Sequence, residues 1–245
     1  MTAATVSDRA SISLIIPAYN EEAYIGTCLE AVARHVQDRV CEVIVVDNAS
    51  TDRTAEVVAE YPGVVRISAP AKGITKARQA GYRHASGEIL AFIDADTIPR
   101  AGWIEQIEEQ FAARPDLACL SGPYHYHDLP PVRRAIASGW FVAARLVYHL
   151  LGYLTVGGNF AIRRSALDAM GGFDSSIEFY GEDVDIGRRA RKVGKVLFRR
   201  QLVMPTSARR LRDEGQAKIG AIYLLNFLSV AFAGKPVTHN YSDIR

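Results

Sequence analysis

Cysteine, net charge and long apolar runs are all scarce in this sequence. Its three cysteines, Cys28, Cys41 and Cys119, are an odd number and lack the paired spacing of a disulfide framework or a zinc site. We therefore expect all three to be small buried hydrophobic residues in a reducing compartment. The formal net charge of +2 over 245 residues gives no reason to expect a nucleic-acid partner.

Segments of targeting or membrane type are also missing. Residues 1–10 are polar and mixed in charge, without the apolar core of a signal peptide, which predicts a cytoplasmic protein with a flexible N-terminus. The longest apolar stretch, 219–234, is shorter than the ~20 residues of a membrane-spanning helix and is interrupted by Asn226 and Ser229. It is expected either to pack on the core or to lie against the inner face of a membrane.

The sequence contains instead a repeated alternation of strand and helix signals. Near-continuous apolar runs, such as 42–46, are typical of parallel strands buried on both faces. Between these runs, apolar residues recur three or four positions apart, as on one face of a helix. Asn20 is predicted to cap the first of these helices. The pattern predicts an α/β fold with a parallel sheet and helices on both of its faces.

A single domain accounts for most of the length, since neither internal repeats nor low-complexity tracts interrupt the pattern. The domain is predicted to span residues 11–215, with a nucleotide-binding half at 11–123 and an acceptor-side half at 124–215. A C-terminal helix and tail, at 216–245, are predicted to follow it.

Polar residues follow the predicted strands at the place where an open parallel sheet binds its ligands, beyond the carboxyl ends. These segments are Pro17-Ala-Tyr-Asn-Glu21, Asp47-Asn-Ala-Ser-Thr-Asp52, Ala71-Lys-Gly73 and Asp94-Ala-Asp96. Three of the four supply carboxylates, and the other supplies a lysine and a glycine. Such a set suits a metal ion and a polyphosphate better than an apolar ligand.

Asp94 and Asp96 are the predicted metal ligands. Carboxylates two positions apart point to opposite faces of a regular strand, so a turn after the strand is needed to bring both to one ion. Hard oxygen ligands suit Mg²⁺ or Mn²⁺, with diphosphate oxygens completing the coordination shell. The alternative is that one aspartate caps the next helix while the other is solvated, and the triplet alone does not decide between the two.

Seven short motifs follow one another along residues 11–200. They are Ser13-Leu-Ile-Ile-Pro-Ala-Tyr-Asn-Glu-Glu22, Val43-Ile-Val-Val-Asp-Asn-Ala-Ser-Thr-Asp52, Lys72-Gly-Ile-Thr-Lys-Ala-Arg-Gln-Ala-Gly81, Asp94-Ala-Asp96, Gly157-Gly-Asn-Phe-Ala-Ile-Arg-Arg-Ser165, Gly171-Gly-Phe-Asp174 and Gly181-Glu-Asp-Val-Asp185. Each is weak alone, but in this order they resemble the inverting family-2 nucleotide-sugar glycosyltransferases. The resemblance implies the GT-A fold, which is Rossmann-like with a mixed, mostly parallel sheet, together with a nucleotide-sugar donor and inversion at the anomeric carbon.

The resemblance also implies roles for individual residues. Those implied to bind the nucleotide are Pro17, Tyr19, Glu21, Asp47, Lys72, Arg78 and Asp94, and those implied to hold Mg²⁺ or Mn²⁺ are Asp96 and Asp94. Asp47 would accept a hydrogen bond from a base that presents an N–H, such as uracil or guanine. Lys72 and Arg78 would meet the diphosphate. Outside the family context, a turn carboxylate and a solvated helix face would explain these three residues as well.

The resemblance places the donor-sugar site and the catalytic base in the back half of the chain. Gly158 and Asn159 would lie at the donor sugar, the alternative being a β-bulge without ligand contact. Asp183, with Glu182 beside it, would be the catalytic base, since inversion requires a carboxylate opposite the leaving group. A second carboxylate can raise the pKa of such a base towards the working pH. The alternative for both acids is the first turn of a helix, with ordinary ion pairs to arginines of that helix.

Three further features are less specific. His125 and His127 alternate in a polar loop and are expected to line an acceptor pocket rather than to bind a metal. The run Arg209-Arg210-Leu-Arg212 is expected either to hold a diphosphate or an anionic acceptor, or to be a solvated face. Thr206-Ser-Ala-Arg-Arg210 stands where processive synthases carry a glutamine-x-x-arginine-tryptophan motif, which predicts the transfer of a single sugar.

The predicted function is a metal-dependent inverting transfer of one sugar from a UDP- or GDP-sugar to an acceptor hydroxyl or lipid phosphate. The acceptor stays open between a glycan, a small molecule and a polyprenyl phosphate. It also stays open whether the apolar stretches at 141–154 and 219–232 contact a membrane, the core or a second copy in a homodimer. The alternative function is nucleotide-sugar binding without catalysis. A nucleotidyltransferase is disfavoured, because Pro17-Ala-Tyr-Asn20 is not a glycine-rich phosphate loop.

Overall fold

The computed structural model describes residues 10–177 and 179–238, apart from the side chains at 140 and 142–147. Its strands are β1 (Ile12–Ala18), β2 (Glu42–Asp47), β3 (Val64–Ser68), β4 (Ile89–Ile93), β5 (Leu117–Ser121), β6 (Tyr124–Tyr126), β7 (Asn159–Arg163), β8 (Lys195–Phe198) and β9 (Met204–Thr206). The flexible N-terminus predicted at residues 1–10 lies outside the described residues, except for Ala10.

Seven of these strands form one sheet in the order β3-β2-β1-β4-β7-β5-β8, and β6 pairs with β9 in a small second sheet. β7 is antiparallel to both of its neighbours, whereas the other neighbouring strands of the large sheet are parallel. The sheet is therefore mixed and mostly parallel, as the resemblance implied. The strand order reverses direction between β1 and β4, which is the position where such sheets bind ligands.

The helices pack on both faces of the large sheet. They are α1 (Ile25–His35), α2 (Thr54–Ala59), α3 (Ile74–His84), α4 (Trp103–Ala113), α5 (Pro131–Leu151), α6 (Arg164–Ala169), α7 (Glu182–Val193), α8 (Arg209–Asp213) and α9 (Gln216–Ala233). Along β1, Leu14 and Ile16 face a core layer that includes α1 and α4, and Ile15 faces a second layer that includes α3 and α7. The central strands are buried on both sides, which explains their unbroken apolar sequences.

The first helix begins later than the capping pattern predicts. Asn20 does not cap α1, which starts at Ile25 after an uncapped Tyr24. Asn20 instead adopts a positive φ of 50°, and its side-chain oxygen accepts a hydrogen bond from the Thr51 N–H at 2.8 Å. The segment after β1 is thus held against the segment after β2, and both stand at the same edge of the sheet.

Two of the three cysteines behave as predicted. Cys28 and Cys119 are buried, and burial raises the pKa of both thiols. The prediction is wrong for Cys41, which is exposed at the start of β2, where its thiol donates to the Ile12 carbonyl at 3.2 Å. Position 41 precedes the buried part of the strand, so its apolar neighbours in sequence do not share its environment.

The C-terminal helix α9 is more apolar along its length than the sequence pattern suggests. Within the described residues it is the one helix whose length and mean hydropathy of 1.3 would allow it to cross a membrane. That finding corrects the expectation that no segment reaches this length. One side of α9 packs on the protein through Ile219, Asn226 and Val230, and only 22% of the helix is buried.

Candidate active site

A cavity of about 430 Å³ opens at the carboxyl ends of β1 and β4. One wall is polar and is built from the segments that follow the parallel strands. The structure brings together on this wall nine of the residues predicted from the sequence, namely Pro17, Tyr19, Glu21, Lys72, Arg78, Asp94, Asp96, Glu182 and Asp183. They come from four separate stretches of the chain, and the sheet topology is what gathers them.

Asp94 and Asp96 reach the cavity because the chain turns directly after β4. The backbone N–H and the hydroxyl of Thr97 both donate to the Asp94 carbonyl, at 3.1 and 2.7 Å, and this turn lets both carboxylates face one side. The Asp94 carboxylate accepts a hydrogen bond from the Tyr124 hydroxyl at 2.8 Å. Neither aspartate caps α4, which begins at Trp103 without a side-chain cap. The solvated-cap alternative for the triplet is therefore wrong.

Arg78 is the buried centre of the polar wall, with a side chain that is 3% exposed. Its guanidinium donates to Glu182 at 2.6 Å, to the Gly157 carbonyl at 2.8 Å and to Asp94 at 3.3 Å. Burial alone would disfavour the charge, but the two carboxylates more than compensate for it, and the pKa of Arg78 is raised. The guanidinium therefore joins three segments of the site, and its contact with a diphosphate stays a prediction.

Gly157 and Gly158 allow the backbone to pass directly beneath these carboxylates. A Cβ at Gly158 would overlap the Asp94 carboxylate and the Tyr124 hydroxyl, and one at Gly157 would lie 2.7 Å from Glu182. Only glycine permits so close an approach at both positions. The backbone at Gly157 and Gly158 therefore lies under the acidic groups, and its place at the donor sugar stays a prediction.

Asn159 is placed differently from its prediction. Its side chain is fully buried and does not line the cavity. Its oxygen accepts from the Trp103 indole at 2.9 Å, and its amide nitrogen donates to the Leu202 carbonyl at 2.7 Å. The hydrogen bonds of this amide join α4, β7 and the segment before β9. A direct contact between this side chain and the donor sugar is therefore not supported. Gly158 lies against the Asp94 carboxylate and the Tyr124 hydroxyl, and these two groups line the cavity in its place.

Asp183 and Glu182 begin α7, after Gly181 in a left-handed conformation with φ 84°. Burial raises the pKa of the Asp183 carboxyl, and the negative charge of Glu182 raises it further. Arg188 and Arg189, the ion-pair partners weighed for these two acids, instead contact Asp185, at 3.1 and 2.7 Å. Glu182 is held by Arg78, which leaves Asp183 as the acid at the cavity whose environment favours proton uptake.

The nucleotide side of the cavity contains Tyr19 and Lys72 in contact, with the Lys72 ammonium 3.9 Å from the centre of the tyrosine ring. Asp47 does not line the cavity. Its carboxylate accepts from the Ser50 N–H at 3.1 Å and from Arg66 at 3.4 Å, and its neighbour Asn48 reaches the wall instead. The contact of Asp47 with a base stays a prediction.

Two residues that sequence reasoning missed, or left undecided, close the acidic side. Tyr124 lies in the short strand β6, which has no periodic signal of its own. Arg209 of α8 forms ion pairs with Glu21 and, at 3.3 Å, with Asp96. This pairing decides against the solvated face for Arg209. The only local signal was its basic neighbourhood, because the carboxylates that it contacts are more than a hundred positions away.

In the described part of the chain, no group of three or more histidine, cysteine or acidic residues is placed to hold a metal ion. His125 and His127 are therefore not part of such a group. The adjacent Asp128 has a structural role. Its carboxylate accepts from the Ala208 N–H at 2.7 Å and from Ser207 and Arg212 at 2.9 and 2.8 Å. Although partial burial opposes ionisation, these bonds hold the pKa of Asp128 below its usual value.

The acidic side nevertheless has the chemistry that Mg²⁺ or Mn²⁺ requires when diphosphate is present. Asp94 and Asp96 face the same cavity with oxygen ligands, and both are already balanced by guanidinium groups, which shows that this wall accommodates positive charge. Two carboxylates with diphosphate oxygens and water are a usual set for these ions. The residues present therefore fit the predicted metal.

The strand order and the position of this cavity, at the point where the order reverses, define an α/β protein with an acidic ligand site at the carboxyl edge of its sheet. A model of the family described as Glycosyl transferase family 2 matches residues 13–171, which is more than half of the chain. The chain therefore belongs to glycosyl transferase family 2.

Relatives and solved structures agree with this. Glycosyltransferase AglE of Haloferax volcanii is 38% identical over 101 residues, which are 39% of this chain and 33% of AglE. The mannosyltransferase PcManGT of Pyrobaculum calidifontis, in complex with GDP-Man and Mn²⁺, has a TM-score of 0.68 at 22% identity, over 92% of this chain and 64% of its own. Glucosyl-3-phosphoglycerate synthase of Mycobacterium tuberculosis, in complex with Mn²⁺, UDP and phosphoglyceric acid, has a TM-score of 0.65 at 22% identity, over 92% and 80%.

The family and the GT-A fold implied by the motifs are thus confirmed, as is the prediction of a glycosyltransferase at the level of the family. The chain spans about a third of the length of the first curated relatives that it matches. The donor, the metal, the base and the acceptor stay predictions.

Proposed function

We propose that the chain is a metal-dependent inverting glycosyltransferase, which moves a single sugar from a UDP- or GDP-sugar to an acceptor hydroxyl or lipid phosphate. One observation carries the proposal: Asp94 and Asp96 on the donor side share a cavity with Asp183, the acid whose pKa is raised. A site that only binds a nucleotide sugar has no need for a carboxylate poised to take up a proton.

In the proposed reaction, Asp183 accepts the proton of the acceptor hydroxyl while the acceptor oxygen forms a bond to the anomeric carbon. The bond between that carbon and the diphosphate breaks, and its electron pair leaves with the diphosphate. Asp94 and Asp96 would hold Mg²⁺ or Mn²⁺, which stabilises negative charge on the departing diphosphate when it is bound. Arg78 holds Glu182 and Asp94 in place and thereby fixes the acidic wall relative to the base.

The choice of UDP or GDP is supported by two fold relatives, one bound to GDP-Man with Mn²⁺ and the other to UDP with Mn²⁺. Cytoplasmic action is part of the proposal, as is peripheral contact with the inner face of a membrane. The exposed apolar side of α9 favours the membrane contact. A homodimer through the same side of α9 is the competing arrangement.

Donor hydrolysis tests the function without knowledge of the acceptor. We expect release of UDP or GDP from the matching sugar nucleotide, with stimulation by Mn²⁺ and loss of that stimulation on chelation. Asp96→Ala is expected to abolish the stimulation. Asp183→Asn is expected to lower turnover by roughly 10²–10⁴-fold, as for loss of a general base, while nucleotide binding persists.

Asp38→Asn is the matched control, because it removes an exposed carboxylate that is not part of the cavity wall. It should leave both turnover and the response to Mn²⁺ unchanged. Tight binding of a sugar nucleotide by the wild-type protein without any turnover, in the presence of Mn²⁺ and varied acceptors, would favour the non-catalytic alternative instead.

A further inference from the structure

The cavity has a second wall, which is apolar and aromatic and which the proposed donor chemistry does not use. Its residues come from α5, from the segments that precede β7 and α7, and from α9. They are Phe141, Leu154, Val156, Phe179, Tyr180, Tyr223, Leu224 and Phe227. A diphosphate and a metal ion require polar partners, and the residues predicted for the nucleotide lie on the other wall, so this wall is available to a different ligand.

The aromatic part of the wall is a continuous shelf of rings. The Phe179 and Tyr180 rings meet edge to face with centroids 5.0 Å apart, and Tyr180 meets Tyr223 of α9 in the same way at 5.7 Å. Arg210 lies over Phe179 at 4.6 Å from the ring centre and marks the border with the polar wall. Rings packed in this way keep their faces in place, and such faces favour apolar or cationic groups.

The shelf leads directly to the proposed base. Tyr180 is separated from Asp183 by two residues, and all four line the cavity. A ligand lying on the rings would therefore present its end to the Asp183 carboxylate.

The amide side chain of this wall, Asn226, is engaged within the protein. Asn226 is 1% exposed, its amide nitrogen donates to the Ile222 carbonyl and to Thr238, and its oxygen accepts from the Val237 and Thr238 N–H groups. Thr155 is also buried, and its hydroxyl oxygen has no hydrogen-bond partner among the described residues. A carbohydrate acceptor needs several hydrogen bonds to its hydroxyls, and the Asn226 amide has none to give it.

The shelf also continues to the outer surface. Tyr223 and Leu224 line the cavity and are 44% and 46% exposed, and the same helix then presents Leu225, Leu228 and Phe232 to the outside. An apolar chain longer than the cavity could thus leave it along α9 without crossing a polar rim.

We propose that the acceptor is an amphiphile: a nucleophilic oxygen at Asp183, carried on a long apolar chain that lies on the shelf and extends along α9. This inference rests on the proposed glycosyltransferase function and names the substrate class of its acceptor subsite. With an alcohol head, the oxygen bonds to the anomeric carbon, its proton passes to Asp183, and the diphosphate departs with the electron pair. A phosphate head would use its own negative oxygen in the same displacement.

The test compares acceptors that have the same head group with different chain lengths, and acceptors that have the same chain with different head groups. Transfer of a radiolabelled sugar is measured with prenyl phosphates of increasing length, prenyl alcohols of the same lengths, and free oligosaccharides. We expect the acceptor KM to fall as the chain lengthens, in one or both prenyl series, and no transfer to the oligosaccharides. The two prenyl arms distinguish a phosphate head from a hydroxyl head.

α9 offers a matched pair of variants, since Leu224 and Leu228 lie one turn apart, with 46% and 45% exposure, and only Leu224 lines the cavity. Leu224→Gln should raise the KM for a long-chain acceptor about tenfold, as expected for the loss of one leucine contact with an apolar chain. The Kd for the donor nucleotide, measured without acceptor, should not change. Leu228→Gln should leave the acceptor KM within about twofold of wild type for a short chain that ends inside the cavity.

The outcomes separate this inference from the proposed function. Absence of donor turnover with every acceptor would refute the function itself. Three results would refute the amphiphilic acceptor and leave the glycosyltransferase function standing. They are a preference for oligosaccharides, an acceptor KM that does not depend on chain length, and an acceptor KM of Leu224→Gln equal to that of wild type.

Discussion

Arg78→Met would remove the positive charge at the centre of the site while keeping much of the side-chain volume. In the wild-type protein this guanidinium joins Glu182, Asp94 and the Gly157 carbonyl at 2.6 to 3.3 Å, and it is almost fully buried. Breaking a buried ion pair by removing one partner costs about 3–5 kcal/mol. Because Asp94 is 35% exposed and can be partly hydrated, we expect a value near the lower end, about 3 kcal/mol.

For a domain of this size, a loss of about 3 kcal/mol lowers Tm by roughly 6–12 °C. Urea and thermal denaturation of the purified variant measure it. Arg78→Lys keeps the charge but not the planar fork of donors, so it should recover only part of the stability. Lys72→Met is the matched control: it removes an exposed cation at the mouth of the same cavity and should change stability by no more than about 0.5 kcal/mol.

The two roles considered for Arg78 give opposite results in this experiment. If Arg78 served only as a diphosphate ligand, Arg78→Met would weaken donor binding but leave the stability of the free protein near that of wild type. A stability loss below 1 kcal/mol in Arg78→Met, or equal losses in Arg78→Met and Lys72→Met, would refute the assignment of Arg78 as the structural centre of the site.

Three further outcomes are expected. Glu182→Gln removes a negative charge that raises the pKa of Asp183. Because the active base is the deprotonated carboxylate, the acid limb of kcat/KM against pH should move to lower pH. An acid limb at the same pH would show that Glu182 does not influence the pKa of the base. Gly158→Ala should cost about 1–3 kcal/mol in denaturant unfolding, since its methyl overlaps Asp94 and Tyr124, whereas unchanged stability would show that the backbone can move away. A thiol reagent should label Cys41 alone in the native protein and all three cysteines after unfolding; fast native labelling of a second thiol would contradict the burial.

Much of the fold could be predicted because its signals are local. The apolar run at 42–46 forms β2, and helices follow the strands as the alternation predicts, since apolar runs and helical periodicity are read from neighbouring residues. The acidic residues after β4 could be assigned for a related reason. The carboxyl ends of parallel strands meet at one edge, so a turn there predicts where the side chains gather.

The parts that could not be predicted depend on contacts between distant segments. β6 and β9 are three residues each and pair Tyr124 with Met204, a contact without any periodic signal. The Asn159 side chain forms hydrogen bonds with Trp103 and the Leu202 carbonyl. In the sequence, an asparagine with such a structural role looks the same as one that binds a sugar. In both cases the environment of the side chain, rather than its type, decides its role, and that environment is formed only in the folded chain.

The chain itself partly balances the negative charge of the cavity's acidic wall, and this separates folding from metal binding. Two arginines hold the four carboxylates with which they form ion pairs: Arg78 contacts Asp94 and Glu182, and Arg209 contacts Asp96 and Glu21. In sites where metal binding supplies the folding free energy, the ligands have no such internal partners, and chelators unfold the protein. Here each of the four carboxylates already has a guanidinium partner, which offsets about half of their negative charge, so the cohesion of the fold has a source other than a bound cation. A divalent ion at Asp96 must then compete with Arg209 for the same carboxylate, which makes its affinity depend on the additional oxygens that a bound diphosphate contributes.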